Sequence, residues 1–395
     1  HERQLVEPAG DAGGAVHIAA RLGGAHGDTE DVRVIQLHRA RQSGHVAVIH
    51  DAERDIAEAI VNGADVNILD LFVMKGKDKM VIWEIIAEMI GNAWYPIHYF
   101  HLSFGKQDSL DKQIREIRDY TNIAIDRNKN ELVDEILQHP NQKAIRKMLR
   151  VFTYNVPFRF LRPWIDTSDD ALMAKRSESF ENDCLYSLQR ENGEWMVTIN
   201  PVWYDYLRKN YGILRDFAYW NLVNFIQARN PNVPNIPSKL IKPIERNSLT
   251  KQHRFWDVVI KAQGGINCIY TNKVLMPGDY ALDHFIPWSF VTHDQIWNLM
   301  PADSSINSSK SNKLPDLDVY LIKLAEEHQK AVSIIYHRNP SDKLLEDYCN
   351  IIERPADLIE MDKEHLRTVF GKTFYPLYQI ASNMSFETWK YNSQL

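Results

Sequence analysis

The amino-acid sequence predicts an α+β fold that is mostly helical, in which a helical scaffold contains one β-hairpin and a small strand–loop–strand–helix module. Apolar residues recur at helical spacing in three stretches, 81–90, 213–229 and 317–334. The pair Asn192-Gly193 separates two apolar runs, and Asn-Gly is the strongest short signal for a hairpin turn. The module is predicted at residues 266–315, where short apolar runs precede a polar, helix-forming segment.

Composition limits the classes of protein to which the chain can belong. Its 395 residues exceed one ordinary domain, and a hydrophobic content of 44% fits a soluble globular protein. We expect no membrane segment, because no stretch approaches the roughly 20 apolar residues of a spanning helix. Three widely spaced cysteines argue against a disulfide framework and favour the cytoplasm. The net charge of −6 does not indicate a nucleic-acid binder, although binding nucleic acid needs only a local basic patch.

Residues 1–73 form an atypical N-terminal extension. They contain no Lys, Trp or Tyr, whereas six of the 15 histidines lie in the first 50 residues. One interpretation is a true and flexible extension. The other, which we favour, is non-native sequence that precedes a native start near Met74.

Three further regions follow from the pattern of prolines, charges and apolar residues. Residues 74–238 are predicted to be a helical N-terminal domain that contains the β-hairpin. Four prolines in 230–243 indicate a linker, residues 239–316 contain the module, and residues 317–395 form a C-terminal helical region. Six basic residues precede the module and could track a phosphate backbone: Lys239, Lys242, Arg246, Lys251, Arg254 and Lys261.

The module contains the side chains that metal-dependent phosphodiester hydrolysis requires. His284 can act as a general base, since histidine exchanges its proton near neutral pH. Its neighbour Asp283 should point to the opposite face of the strand and offer a carboxylate to a hard cation. Asn307 offers a second oxygen ligand. Lys310 lies three residues beyond Asn307 on one helix face and could contact a phosphate oxygen.

Asn298 follows His284 by 14 residues and is predicted to lie in or beside a strand antiparallel to the one that ends at His284. Its amide can bridge the backbone of the intervening loop and fix the hairpin. We therefore expect Asn298 to support His284 structurally.

The module resembles the HNH, or ββα-metal, nuclease module in three features. These are the pattern Asp-His-x-Ile-Pro-x-Ser-Phe, then Asn298, then the pattern Asn-x-x-Lys-Ser-x-x-x-Pro. It is similar to stand-alone bacterial HNH endonuclease-domain proteins, which also share Ala93-Trp94-Tyr95-Pro96. The resemblance implies His284 as general base, Asp283 and Asn307 as metal ligands, and Asn298 as the central asparagine.

The resemblance also implies a cofactor, a substrate and a setting. The cofactor would be Mg²⁺ or Mn²⁺ and the substrate double-stranded DNA, in bacterial restriction or phage defence. A homodimer could cleave both strands, and a defence-system protein could be a partner. A structural zinc is not expected, because Cys268 is followed by Thr271 where a second cysteine would be needed.

Two alternatives remain open from the sequence. A degenerate HNH fold could bind nucleic acid without cleaving it, which would agree with the acidic net charge and with Asn at the third motif position. The second alternative is a nuclease or toxin that acts on RNA, because such a module contacts phosphates, which RNA shares with DNA, more than bases.

Overall fold

The computed structural model describes residues 65–105, 109–240 and 247–391 of the chain. Most of the predicted N-terminal extension, residues 1–64, lies outside them, as do Lys242 and Arg246 of the basic run. Over the described ranges no helix is both long and apolar enough to cross a membrane. The fold is mostly helical with small antiparallel sheets, as the sequence predicts.

The N-terminal half is a helical array. A short helix and a π-helical turn, Asp70–Met74, come first, and their buried side chains include Leu71 and Phe72. The α-helices of this half are α1 Asp65–Leu69, α2 Ile82–His98, α3 Ser109–Thr121, α4 Lys129–Leu137, α5 Gln142–Leu149, α6 Phe152–Arg159, α7 Asp170–Ser177, α8 Tyr204–Lys209, α9 Tyr211–Arg229 and α10 Ile236–Leu240.

Helix α2 continues through Gly91 and Pro96, although glycine in a helix interior is destabilising. The reason lies in packing. A Cβ atom at Gly91 would lie 2.9 Å from Val133 Cγ2 of α4, so only glycine permits this close approach. Trp94, which follows in the same helix, is only 1% exposed.

The predicted hairpin is confirmed. Strands β2, Tyr186–Glu191, and β3, Glu194–Ile199, pair antiparallel around a two-residue turn. Both turn residues, Asn192 and Gly193, have positive φ, as a type I′ turn requires. A third strand that was not predicted, β1 at Lys79–Val81, pairs with β3 and completes a sheet of order β1-β3-β2.

The module follows helix α11, Thr250–Gln263, which Gly264 ends in the left-handed conformation. Its remaining elements are β4 Ile266–Asn267, β5 Val274–Leu275, β6 Ala281–His284, α12 Trp288–Val291, β7 Leu299–Ala302 and α13 Ser304–Lys310. Two C-terminal helices, α14 Leu317–Arg338 and α15 Lys363–Asn383, pack against each other and complete the fold.

The C-terminal region packs onto the module through aromatic contacts. Phe374 of α15 contacts Phe285 and Trp297 edge-on, with ring centroids 5.4 Å apart in both pairs. Leu314 exchanges two backbone hydrogen bonds with the final described segment, at Glu387 and Trp389. The module is therefore stabilised by packing against its flanking helices, and Cys268 within it is a buried free thiol.

Candidate functional site

The site is built on three elements of the module. Strands β6 and β7 pair antiparallel with His284 opposite Leu299, and the chain then enters α13 directly. Asp303 caps α13 by accepting a hydrogen bond from the Ser305 amide. This strand–loop–strand–helix order is the one that the sequence predicts, and it brings the end of β6 next to α13.

Asp283 lies on the closed face of β6 and is only 2% exposed. Its Oδ1 atom accepts a hydrogen bond of 2.9 Å from Lys310 Nζ, and its Oδ2 atom accepts one of 2.6 Å from the Tyr270 hydroxyl. Burial, and next the Asp283 charge, raise the pKa of Tyr270 well above its usual value. Tyr270 therefore remains a protonated donor to this carboxylate.

Lys310 is fully buried, and its ammonium is shared between two oxygens of β6. Besides Asp283 it donates a hydrogen bond of 2.8 Å to the backbone carbonyl of His284. The sequence places Lys310 on the face of α13 that could meet a phosphate. In the structure this side chain instead joins α13 to β6 and neutralises Asp283.

His284 lies on the open face of the same strand. Its Nε2 atom is 2.9 Å from Asp294 Oδ1, and the two side chains are 12% and 20% exposed. Because an ionised carboxylate only accepts hydrogen bonds, Nε2 must hold the proton. Nδ1 is then the basic nitrogen, and within the described residues it has no hydrogen-bond partner. Asp294 thus fixes the tautomer of His284.

The loop that supplies Asp294 is held by residues outside the module. Gln252 of α11 donates a 3.0 Å hydrogen bond to the Asp294 carbonyl. Asn235 donates one of 3.0 Å to the Thr292 carbonyl, and Asp347 accepts one of 2.8 Å from the Ile296 amide. Three separate parts of the chain therefore fix the position of the carboxylate that orients His284.

Lys239 is a further support of this loop. It is fully buried and donates hydrogen bonds to the Pro234 carbonyl and, at 3.2 Å, to Thr292 Oγ1. Burial lowers its pKa to about 7. The interpretation of Lys239 as a phosphate-tracking residue is therefore wrong, whereas Lys251, Arg254 and Lys261 of the same run are exposed.

Asn298 is fully buried between β6 and β7. Its Oδ1 atom accepts a hydrogen bond from the Ile286 amide, and its Nδ2 atom donates one to the Ile286 carbonyl, both at 2.9 Å. The amide therefore bridges the backbone just beyond His284, in the geometry expected of a hairpin support.

Asn307 lies in the middle of α13 and is partly exposed. Within the described residues its side-chain amide has no hydrogen-bond partner. Asp283 uses one lone pair on each carboxylate oxygen and retains a second on each. A carboxylate and a free amide oxygen suit a hard cation that keeps several waters, so the donor set fits Mg²⁺ or Mn²⁺. Such a cation would compete with Lys310 for Asp283.

No group of three or more His, Cys, Asp or Glu side chains in the described part of the chain could hold a metal ion. Any cation here would therefore rest on few protein ligands.

A cavity of about 770 Å³ adjoins Asp294. Its lining includes the exposed Lys251, together with Ser248, His293 and Asp347. Burial, and next the nearby His284, lower the pKa of His293 to about 4, so His293 is neutral at physiological pH. The cavity therefore opens beside Asp294, the residue that pairs with His284.

Sequence reasoning missed two members of this site. Asp294 could have been identified from the sequence, because it is the sole Asp or Glu between His284 and Asn298 and a histidine base needs an orienting acceptor. Tyr270 could not have been identified from the sequence, since its contact with Asp283 depends on how the β4–β5 segment folds back onto β6.

Residues 268–316 match the HNH endonuclease family. The matched segment runs from Cys268 through β6, β7 and α13 to Asp316. No curated protein and no solved structure showed significant similarity to the chain. The family match indicates a nuclease whose substrate is nucleic acid.

Proposed function

Because residues 268–316 belong to the HNH endonuclease family, we propose that the chain is a metal-dependent endonuclease that hydrolyses DNA phosphodiester bonds, with His284 activating water. One observation supports this most strongly. His284 is held by Asp294 on the open face of β6, with its second ring nitrogen unpartnered within the described residues.

The proton transfer follows from the geometry of the dyad. Nδ1 of His284 accepts a proton from the attacking water, and the carboxylate of Asp294 stabilises the imidazolium that forms. Asn298 keeps the backbone beyond His284 fixed through its two bonds to Ile286. Asp283 and Asn307 would hold the cation, which when bound supplies positive charge to the phosphate oxygens.

Lys310 acts in this proposal through Asp283. Its ammonium already contacts the Asp283 carboxylate and the His284 carbonyl. It therefore orients the carboxylate that would bind the cation. A direct contact between Lys310 and a phosphate, as the sequence suggests, requires its side chain to leave both partners.

Plasmid cleavage in Mg²⁺ or Mn²⁺ tests the proposal. We expect His284→Ala to cleave about 10²- to 10⁴-fold more slowly than the wild type, since a general base contributes that much to the rate. Supercoiled, nicked and linear products, separated on a gel, also show whether one strand or both are cut. Equal cleavage by both proteins would contradict the role of His284.

The setting is part of the same proposal. We propose that double-stranded DNA is the substrate and that the protein acts in the cytoplasm in restriction or phage defence. One active centre cuts one strand, so double-strand breaks require a homodimer or two successive events. A defence-system protein could restrain or recruit the enzyme.

The second candidate is a nucleic-acid-binding protein without cleavage activity. The closed environment of Asp283 favours it, because this proposed metal ligand is 2% exposed and already neutralised by Lys310. Salt-dependent DNA binding without cleavage in Mg²⁺ or Mn²⁺ would support this candidate over the first.

A further inference from the structure

A concave surface outside the nuclease module combines positive charge with aromatic rings. It lies between α5, the start of α6 and the β2–β3 hairpin, and encloses about 540 Å³. We call it the basic groove. We propose that the basic groove binds a single-stranded segment of nucleic acid. This proposal rests on the nuclease function above and adds a nucleic-acid contact outside the nuclease module.

The charge of the basic groove comes first from α5. Lys143, Arg146 and Lys147 share one face of this helix and Arg150 follows at its end, whereas α5 contains no acidic residue. Its opposite face is buried in the core through Ile145 and Leu149. The helix is therefore anchored with its cationic face toward the groove.

The hairpin adds a fifth cation, Arg190. Two carboxylates, Asp170 and Glu194, also line the groove, so five cations face two anions in a chain whose net charge is −6. Glu194 pairs with Arg146. The other four cations have no carboxylate within ion-pair distance among the residues that the structure describes.

Each arginine of the basic groove lies over an aromatic ring. Arg150 is 5.4 Å from the ring centroid of Tyr154, and Arg190 is 5.1 Å from that of Trp195. The third guanidinium, that of Arg146, is 5.2 Å from Trp83. These contacts hold the guanidinium groups beside the rings. Tyr154 is 49% exposed, whereas Trp83 and Trp195 are half-buried.

Alternating cations and rings suit single-stranded nucleic acid. Phosphates contact the lysine and arginine side chains, while unstacked bases can pack on aromatic faces. In a duplex the bases are stacked on one another and cannot use the rings. An acidic peptide would satisfy the charges but would leave Tyr154 and Trp195 without a matching group.

Binding of a labelled oligo(dT), measured by fluorescence anisotropy over a range of salt concentrations, tests the proposal. All proteins contain His284→Ala, so that cleavage does not interfere. We expect Lys147→Gln/Arg150→Gln to bind more weakly. The slope of log K against log salt should fall by about 1.4, since each phosphate contact on a single strand contributes about 0.7.

The matched control is Arg367→Gln/Lys372→Gln, which removes the same two charges from exposed positions on α15. Its affinity and salt slope should equal those of the parent protein. Equal losses in both double variants would overturn the proposal, because binding would then follow net charge alone.

A second variant tests the aromatic contribution without changing charge. Tyr154→Ala should weaken oligo(dT) binding about tenfold while the salt slope stays constant, because stacking releases no counterions. Tyr154 is exposed, so its truncation leaves the core intact. Affinity equal to that of the parent protein would overturn the assignment.

Two competitors identify the occupant. Unlabelled oligo(dT) should displace the probe far better than duplex DNA or polyglutamate. Equal displacement by duplex DNA would overturn the single-strand assignment, and equal displacement by polyglutamate would indicate an acidic protein partner instead. The anisotropy assay measures binding without cleavage. Loss of the groove proposal would therefore appear in oligo(dT) binding, whereas loss of the nuclease assignment would appear in plasmid cleavage.

Discussion

Asp283 and His284 are neighbours on β6, yet their surroundings differ in every respect that matters for chemistry. Asp283 faces the interior, where Lys310 and Tyr270 occupy both carboxylate oxygens. His284 faces an open loop, where Asp294 occupies one ring nitrogen and the other has no partner among the described residues. Successive residues of a strand point to opposite faces, and this alternation separates a neutralised carboxylate from an available base.

The difference indicates how the two faces are stabilised. On the face of β6 that contains Asp283, all hydrogen-bond partners come from the module itself, namely from the β4–β5 segment, β6 and α13. We call this the Asp283 face, and the opposite face the His284 face. The His284 face depends on the rest of the chain, since Asn235, Gln252 and Asp347 fix its loop. Substitutions on the Asp283 face should therefore affect stability, and those on the His284 face should affect rate.

The largest effect on stability is expected from Lys310→Met. This change leaves the Asp283 carboxylate buried without its cation, which should lower the free energy of unfolding by about 3–5 kcal/mol. Urea denaturation measures it. The control is Lys273→Met, which removes an exposed partner of Asp303 and should leave stability nearly unchanged. Comparable losses in the two variants would show that the Asp283 face is not a closed ion pair.

Asp294→Asn should lower the cleavage rate and leave stability unchanged, the reverse of what is expected for Lys310→Met. The variant keeps the shape of the side chain but loses the charge that stabilises protonated His284. We expect cleavage to slow by up to about 10⁴-fold, as when an amide replaces the carboxylate that orients a catalytic histidine, while the urea midpoint stays constant. Asp279→Asn, at an exposed carboxylate of the same module, is the control. A wild-type rate in Asp294→Asn would remove Asp294 from the mechanism.

A third effect concerns Lys239, which supports the loop of the His284 face. Its pKa is lowered to about 7 in the folded protein by burial, whereas an unfolded lysine titrates near about 10.4. Between these values the unfolded chain binds more protons, so stability should rise as the pH increases from 7 towards 10.

Lys239→Met removes this titration and should flatten the rise in melting temperature over that range. All other titrating groups are common to both proteins, so the difference between the two melting curves isolates Lys239. Parallel curves would contradict the lowered pKa of Lys239 in the folded protein.

Local sequence signals predicted much of this fold. The Asn192-Gly193 turn requires positive φ at both positions, so its identity follows from two residues. The order of β6, β7 and α13 follows from the spacing of Asp283, Asn298 and Asn307. Strand β1 could not be predicted, because a three-residue strand exists only through its pairing with β3.

The environments of the site residues were harder to predict than their positions. Lys310 and Lys239 are charged and therefore expected at the surface, but both are fully buried. Their burial depends on Asp283 and on Thr292, which are 27 and 53 residues away in sequence. No periodicity in the chain encodes such pairings.

Rescue of His284→Gly by free imidazole tests the central claim most directly. The substitution removes the ring and leaves space for imidazole beside Asp294. In Mg²⁺ or Mn²⁺ the variant should cleave plasmid DNA slowly, and the rate should rise with imidazole concentration, because the added base replaces the lost one. Cleavage by His284→Gly at the wild-type rate without imidazole would contradict the assignment of His284 as the general base.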